Sequence, residues 1–412
     1  MSKSIFIAAS PNTEPDDLEL SLKLIKNKKQ ADSLAIGEAL ELKLGEYFTR
    51  PAICFDSARS SFYSLLKAFG AKEGDEVLLP AFSCMVVANA AIWAGVKPVY
   101  VDCDREHFGY DLANLRNKVT AATKFIMVQH SFGSPEDMAQ IREIVGPEVI
   151  IIEDLAHALG ASIAGEKLGT LGDAAIITFG IEKVISGVRG GSAIVKDATI
   201  AKKLQDFRNS LPDFPKQKAR LALWNPIFWS IINPVYYLGI GKMTLGRLFV
   251  WLGHKLNIFG NMIEDCEYDV CKPEWLPAKP SPALCLLALN QLQKLARFNN
   301  IRRCNASVYQ DELGRVIPQI PNAKPIFLRF PVLVDNKVKV LQILKNNRIV
   351  AGDWYKSILF APAKSLKKLG YIKGSCPNAE YCSAQIINLP THIHVSDIDA
   401  KRIAKLVKPF LL

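Results

Sequence analysis

The chain of 412 residues lacks the marks of several common classes. It holds nine cysteines but no Cys-x-x-Cys, and their number is odd and their spacing irregular. A disulfide framework is therefore excluded as an expectation, and reduced thiols in a cytosolic protein are expected. No metal-ligand spacing is present, so no metal is expected. The formal net charge is +11, yet no long basic block is interleaved with aromatics, and no zinc-finger or RNA-binding signature appears. Nucleic acid is accordingly not an expected partner. A basic surface equally suits anionic metabolites, an anionic membrane face or plain solvation. The first residues, MSKSIFIAASPNTEPDD, lack the apolar core and small-residue cleavage site of a secretory signal. Internal repeats and low-complexity tracts are also missing. With 49% hydrophobic and 22% charged residues, the chain can bury a sizeable core rather than remain disordered.

What is present is an alternation. Residues 1–50 read as a polar, partly helical lead-in. From Cys54 onward, SARSSFYSLLKAFGA shows helical spacing behind a serine that can cap it. DEVLLP reads as a strand, VVANAAIWAG as a helix of small residues, and KPVYVDCD as the next strand. KFIMVQH, VIIIED, AAIITF and GSAIVK follow as short β-branched runs. Strands alternating with helices imply a largely parallel sheet covered on both faces, with ligands beyond the carboxyl ends of its strands. His130, Asp154 and Thr178 fall at those ends. After Pro282, ALCLLALNQLQKLARFNNIRRCNASVYQDEL reads as one long amphipathic helix linking to a smaller C-terminal α/β domain. That domain would contain FLRFPVLV, a helix near 337–347 and a final helix after VSDID. The expected division is a lead-in at 1–50, a large domain at 51–280, and a linking helix with the small domain at 281–412.

Residues 211–276 break the rhythm as an apolar insertion. LALWNPIFWSIINPVYYLGIG (221–241) carries no charge and is flanked by Lys216, Lys218 and Arg220 before it and Lys242 and Arg247 after it. Its length approaches the ~20 residues of a membrane span. Pro226, Pro234, Asn225, Asn233 and Ser230 argue against a clean spanning helix. Three readings stay open: a packed insertion or subunit interface, an interfacial element over 221–259 touching a membrane or lipid substrate, and a true span.

The stretch IITFGIEKVISGVRGGSAIV (176–195) holds a single lysine, Lys183, between a β-type run and a glycine turn. A lysine whose amine is kept neutral by apolar surroundings can condense with an aldehyde. Pyridoxal phosphate needs such an amine, a carboxylate against its ring nitrogen, a phosphate cradle and packing on its ring faces. Asp154 ends a buried strand and offers the carboxylate; its alternative role is to cap a helix on LAHAL. SARSS (57–61) opens a helix whose free N–H groups suit a phosphate, or it is a simple cap. Thr178 lies five residues before Lys183 at a strand end, where its hydroxyl can reach the same phosphate.

These segments resemble the DegT/StrS-type nucleotide-sugar aminotransferases, enzymes of fold type I that use pyridoxal phosphate. The likeness covers most of the chain and is most specific in EDLAHALGASIAGEKLGTLGDAAIITFGIEKVISGVRGGSAIV; INLPTHIHVSDID resembles the family's C-terminal signature. The resemblance implies a PLP-dependent transferase fold type I: a large α/β domain with a mostly parallel seven-stranded sheet plus a smaller α/β domain. It implies Lys183 as the cofactor-bound amine and later proton shuttle, Asp154 on the pyridine nitrogen and His157 near the ring hydroxyl or face. Thr178 and the turn of Ala58, Arg59 and Ser60 would hold the phosphate. Cys84 falls where many members place a stacking aromatic, a departure that asks another group to cover the ring. Arg59, where threonine is common, and GVRGG are further departures. Arg189 would face an anionic substrate or be a solvated loop arginine; His392 lies near a substrate cleft in this family or is structural. The implied reaction moves an amino group from glutamate to a keto-sugar nucleotide, or to a lipid-linked sugar, for surface polysaccharide or glycolipid synthesis. The implied assembly is a cytoplasmic homodimer with a shared active site and contact with a membrane through 221–259. The rivals are a PLP-dependent sugar dehydratase, which resembles this chain except for histidine at the lysine position, and a non-catalytic or regulatory binding protein on the same fold. A Rossmann oxidoreductase is weaker, because no Gly-x-Gly-x-x-Gly follows the first strand.

Overall fold

The computed structural model describes residues 4–27, 35–240, 243–255 and 262–412. Seven strands make the central sheet: β1 (Ala52–Phe55), β2 (Glu76–Pro80), β3 (Lys97–Val101), β4 (Thr123–Gln129), β5 (Ile150–Asp154), β6 (Ala174–Thr178) and β7 (Gly191–Val195). Their spatial order is β1-β7-β6-β5-β4-β2-β3. Strands β2 to β6 pair in parallel, while β7 runs antiparallel to both β1 and β6. The expected seven-stranded, mostly parallel sheet is thus present, with each apolar run named above supplying a strand.

The helices cover both faces, as continuous apolar strands require. They are α1 (Pro15–Lys26), α2 (Ala35–Phe48), α3 (Ala58–Ala68), α4 (Met85–Trp93), α5 (Leu112–Lys118), α6 (Met138–Val145) and α7 (Ala198–Ser210). On one face Phe62, Leu65 and Leu66 of α3 pack with Ala88 and Ala91 of α4 and with Val77, Leu79 and Ile152 of the sheet. On the other, Leu40, Leu44 and Phe48 of α2 meet Ala175, Ile177 and Ile194. Each such leucine or phenylalanine contributes about 1.5–3 kcal/mol by leaving water, so the strand ends that carry the site are rigidly placed.

The insertion contributes α8 (Lys216–Val235) and α9 (Leu245–Lys255). Among the described residues no helix is long and apolar enough to cross a membrane, which removes the spanning reading. Helix α8 instead buries Ala222 and Leu223 against Leu24 of α1 and Leu284 and Leu287. Lys242, one of the flanking cations, lies outside the described residues, as do 256–261.

Beyond the insertion, the expected single long helix is two, α10 (Pro282–Leu292) and α11 (Leu295–Leu313). The break falls where Lys294 is drawn into ion pairs with Asp16 at 2.6 Å and Asp17 at 3.2 Å on α1. A second, two-stranded sheet pairs β8 (Arg329–Leu333) antiparallel with β9 (Ile386–Pro390), covered by α12 (Lys337–Asn346) and α13 (Asp397–Val407). The first fifty residues do not stand apart from this unit: Ile5–Phe6 pairs in parallel with Ile349–Val350.

Candidate active site

The carboxyl ends of β4, β5 and β6 and the start of α3 converge on one region. No helix follows Asp154; the next residues form a turn, and Asp154 Oδ1 accepts the N–H of Ala156 at 2.8 Å. Oδ2 takes no hydrogen bond among the described residues, although the side chain is buried. Burial raises its pKa, while the Ala156 N–H and the charges of Lys183 and His130 work against that rise. Such a carboxylate is set up for a cationic partner.

Its neighbour Glu153 points the opposite way and explains the GTLGDAA turn. Its oxygens accept the N–H groups of Gly169 (2.7 Å), Leu171 (2.9 Å) and Gly172 (2.7 Å), so the turn wraps around one buried carboxylate. His130 accepts the Glu136 N–H on Nδ1 (3.0 Å) and therefore carries its neutral-ring proton on Nε2, which donates to Glu153 (3.2 Å).

Lys183 sits on a loop after β6, shaped by Lys183 N–H to Gly180 O (3.2 Å) and Gly187 N–H to Phe179 O (2.9 Å). Asn12 holds this loop from the distant N-terminal segment, its Nδ2 donating to the carbonyls of Lys183 (2.7 Å) and Val184 (3.2 Å). Buried Arg302 braces Asn12 and Val184 in turn.

Lys183 Nζ lies 3.2 Å from His157 Nε2. His157 Nδ1 accepts the Phe132 N–H at 3.3 Å, so the neutral ring bears its proton on Nε2, the atom that faces the amine. Burial, then the charges of Lys183 and Arg329, hold the His157 pKa well below its ordinary value. Burial also lowers Lys183, with Glu182 opposing and Arg329 reinforcing.

The ring of His157 lies nearly parallel to Phe132 (17°, 5.9 Å) and to Tyr355 (17°, 6.1 Å), and Phe82 meets Tyr355 edge-on at 5.3 Å. Cys84 stands at the N-cap of α4, partly buried, its pKa raised by burial and eased by the charges of Lys183 and Arg59. Tyr355, from the C-terminal part of the chain, shares this space, where Cys84 and Asp154 both act on its hydroxyl.

At α3, Ser57 is the N-cap and its Oγ accepts the Ser60 N–H at 3.4 Å. The N–H groups of Ala58 and Arg59 have no acceptor within the helix. Strand β7 approaches so closely that a Cβ on Gly191 would lie 2.3 Å from Ala58 N, which only glycine permits. The Arg59 side chain turns to the insertion: Nη2 donates to Met262 O (2.9 Å) and pairs with Glu267 (3.2 Å). Thr178 Oγ1 accepts the Gly180 N–H at 3.3 Å.

Arg189 is not a solvated loop residue. It is buried, 3.8 Å from Asp56, with its guanidinium 4.7 Å from the Trp275 ring centroid, and burial lowers its pKa to about 10. His392 lies on the turn after β9, where Nδ1 accepts the His394 N–H at 3.3 Å; His394 in turn faces Thr13 O. Sequence reasoning missed Asn12, Glu182, Arg329 and Tyr355. Arg329 is the most telling: its side chain is 2% exposed, it pairs with Glu182 at 3.1 Å, and its guanidinium stacks 3.5 Å over Trp354. Its Nε and Nη2 have no hydrogen-bond partner, and its charge reaches Lys183 and His157.

These residues fit pyridoxal phosphate: a buried amine of lowered pKa, a buried carboxylate with one unengaged oxygen, a flat imidazole and free N–H groups at a helix start answer its aldehyde, ring nitrogen, ring face and phosphate. Fold and donor set together define a PLP-dependent transferase of fold type I. The chain belongs to the DegT/DnrJ/EryC1/StrS aminotransferase family, whose model matches residues 20–220 and 281–408 and leaves 221–280, most of the insertion, unmatched. It is 31% identical over 224 residues to GDP-perosamine synthase of Caulobacter vibrioides, covering 52% of this chain and 59% of that one. It is 23% identical over 350 residues to UDP-N-acetyl-3-dehydro-alpha-D-glucosamine 3-aminotransferase of Acidithiobacillus ferrooxidans, covering 83% and 79%. Its fold matches Escherichia coli GDP-4-keto-6-deoxy-D-mannose-3-dehydratase, solved with PLP, with a TM-score of 0.74 at 18% identity, covering 99% of this chain and 100% of that one.

Proposed function

We propose that the protein moves an amino group from an amino acid, glutamate by family analogy, to a keto-sugar carried on a nucleotide or a lipid, for surface polysaccharide or glycolipid synthesis. The observation that carries this is the buried Lys183 amine, its pKa lowered by that burial, 3.2 Å from His157 Nε2. Bound pyridoxal phosphate would supply an aldehyde for that amine and a ring able to withdraw electrons. Lys183 holds the proton that must leave one carbon and return to another, which asks for an amine near neutrality. Asp154 would keep the ring nitrogen protonated. His157, stacked between Phe132 and Tyr355, would offer a flat face to the ring and holds its Nε2 3.2 Å from the amine. The turn of Ala58, Arg59 and Ser60 would hold the phosphate, Ala58 and Arg59 through their N–H groups while the Ser60 N–H stays on Ser57 Oγ, with the Thr178 hydroxyl beside them. Tyr355 takes the covering role that Cys84 cannot fill.

The amino donor's carboxylate pairs with Arg329. A planar, nearly sealed guanidinium whose Nε has no hydrogen-bond partner and whose Nη2 meets the partly exposed Glu182 at 3.1 Å can exchange that contact for a carboxylate fork, and its charge reaches Lys183. The sugar dehydratases with which the family shares its fold carry histidine at the lysine position, so Lys183 favours amino transfer. The working enzyme is a cytoplasmic homodimer with Arg189 and His392 on the acceptor side; sedimentation of the purified protein tests the dimer. Purified protein with added pyridoxal phosphate is expected to show a visible band that glutamate bleaches and a matching keto-sugar nucleotide restores. A protein that stays colourless is a binding module instead. A band that survives glutamate, with loss of water from the sugar, indicates a dehydratase.

A further inference from the structure

The part of the insertion that the family model leaves out carries a surface that amino transfer does not use. Eight of the fifteen large exposed hydrophobic side chains among the described residues lie between 224 and 262, so the exposure is concentrated rather than scattered. On α8, Trp224 and Ile231 lie seven residues apart and so share one side of the helix, opposite the buried Ala222 and Pro226, and Leu238 is exposed just beyond the helix end. On α9, Leu248, Phe249 and Trp251 are exposed in the same way. Ile231 is 63% exposed and Trp251 56%, values that a packed insertion would not leave.

The charge of this section has one sign. Between Phe214 and Ile263 the sequence contains Lys216, Lys218, Arg220, Lys242, Arg247 and Lys255 and no aspartate or glutamate. We propose that α8 and α9 dock the enzyme on an anionic lipid surface, lying in the headgroup layer with tryptophans at the boundary and the basic side chains towards the phosphates. A second copy of the chain suits the face poorly, because the section has six basic residues and no acidic one of its own, so self-pairing would set like charge against like; Lys218 is answered by Glu264, just outside the section, at 2.8 Å. A span is ruled out by helix length and apolarity among the described residues.

The docking face is tied directly to the site. Met262, itself exposed, gives its carbonyl to Arg59 at the start of α3. The segment after it is pinned by Glu267 to Arg59, by Asn89 to Glu267 O (2.9 Å) and by Trp93 to Val270 O (2.7 Å). A surface-bound enzyme would therefore hold its phosphate-binding turn one short segment from the lipid.

Vesicle sedimentation of the full chain tests this, using phosphatidylcholine alone and phosphatidylcholine with roughly one third phosphatidylserine. The protein is expected to pellet with the anionic vesicles only, and less at high salt. Ile231→Glu with Trp251→Glu, both at exposed positions, is expected to lower the bound fraction at least tenfold while the circular dichroism melt and the visible cofactor band stay unchanged. Wild-type protein left in the supernatant with anionic vesicles overturns the proposal, as does a double variant that pellets undiminished. A vesicle-free assembly that the double variant splits would assign the face to a second copy instead.

Discussion

Arg329→Gln removes the guanidinium and keeps much of the side-chain volume. Losing one partner of a buried, hydrogen-bonded charge pair costs about 2–5 kcal/mol in recognition. The structure places the effect in the lower half of that range. Arg329 already meets Glu182 at 3.1 Å, so an incoming carboxylate competes with an existing partner, and Glu182, about a quarter exposed, can be rehydrated when left alone. About 2–3 kcal/mol corresponds to a fall of roughly 30- to 140-fold in kcat/KM for glutamate in the first half-reaction. The readout is single-turnover bleaching of the visible band against glutamate concentration. The control is a simple alkylamine, which has no carboxylate to lose and should bleach wild type and variant at similar rates. Equal losses for glutamate and the alkylamine would refute the reasoning, because a general disturbance of Lys183 or Tyr355 would then explain both.

Lys183→Ala should abolish the visible band and amino transfer while leaving the thermal melt unchanged or slightly higher, since a desolvated ammonium is removed; retained turnover would take Lys183 out of the chemistry. Glu136 is buried, and burial lifts its pKa from 4.5 to about 8, with its contact to the Tyr110 N–H opposing. Its native carboxyl thus keeps a proton that the unfolded chain sheds between those values, so its contribution to stability falls as pH rises through that window, by up to about 1.4 kcal/mol per pH unit. Glu136→Gln should flatten the slope of urea-unfolding free energy against pH, and an unchanged slope would contradict the assignment. Gly191→Ala places a methyl against backbone at 2.3 Å and should cost about 2–4 kcal/mol, with weaker cofactor retention in dialysis; wild-type retention would mean that the turn has slack.

The strands were legible in the sequence because their sides are buried on both faces and their apolar runs are unbroken. Asp154, His157, Thr178 and Lys183 were legible because one β-turn-β stretch of about thirty residues carries them all, and order within that stretch is itself a pattern. Arg329, Tyr355 and Asn12 left no such trace. Each is a single polar residue on a segment remote from Lys183 in sequence, and nothing local distinguishes it from a residue on the surface. The break between α10 and α11 was hidden for a related reason: helical spacing runs through it, and only the tertiary pull of Asp16 and Asp17 on Lys294 interrupts it. For Arg189 the sequence left a substrate contact and a solvated loop side by side; its burial was hidden because the aromatics that enclose it, Phe214 and Trp275, come from the insertion.

The pairing of Ile5–Phe6 with Ile349–Val350, and the grip of Asn12 on the Lys183 loop, have a consequence for how the molecule is made. Ribosomes add about 5–20 residues each second, so the first strand waits roughly twenty seconds to a minute for its partner to emerge. Through that interval the sheet can assemble, but the lysine-bearing loop lacks the neighbour that is itself anchored by the last third of the chain. Catalytic competence should therefore arrive late in synthesis, close to release, and truncated products of translation should be inert even where their central sheet is complete.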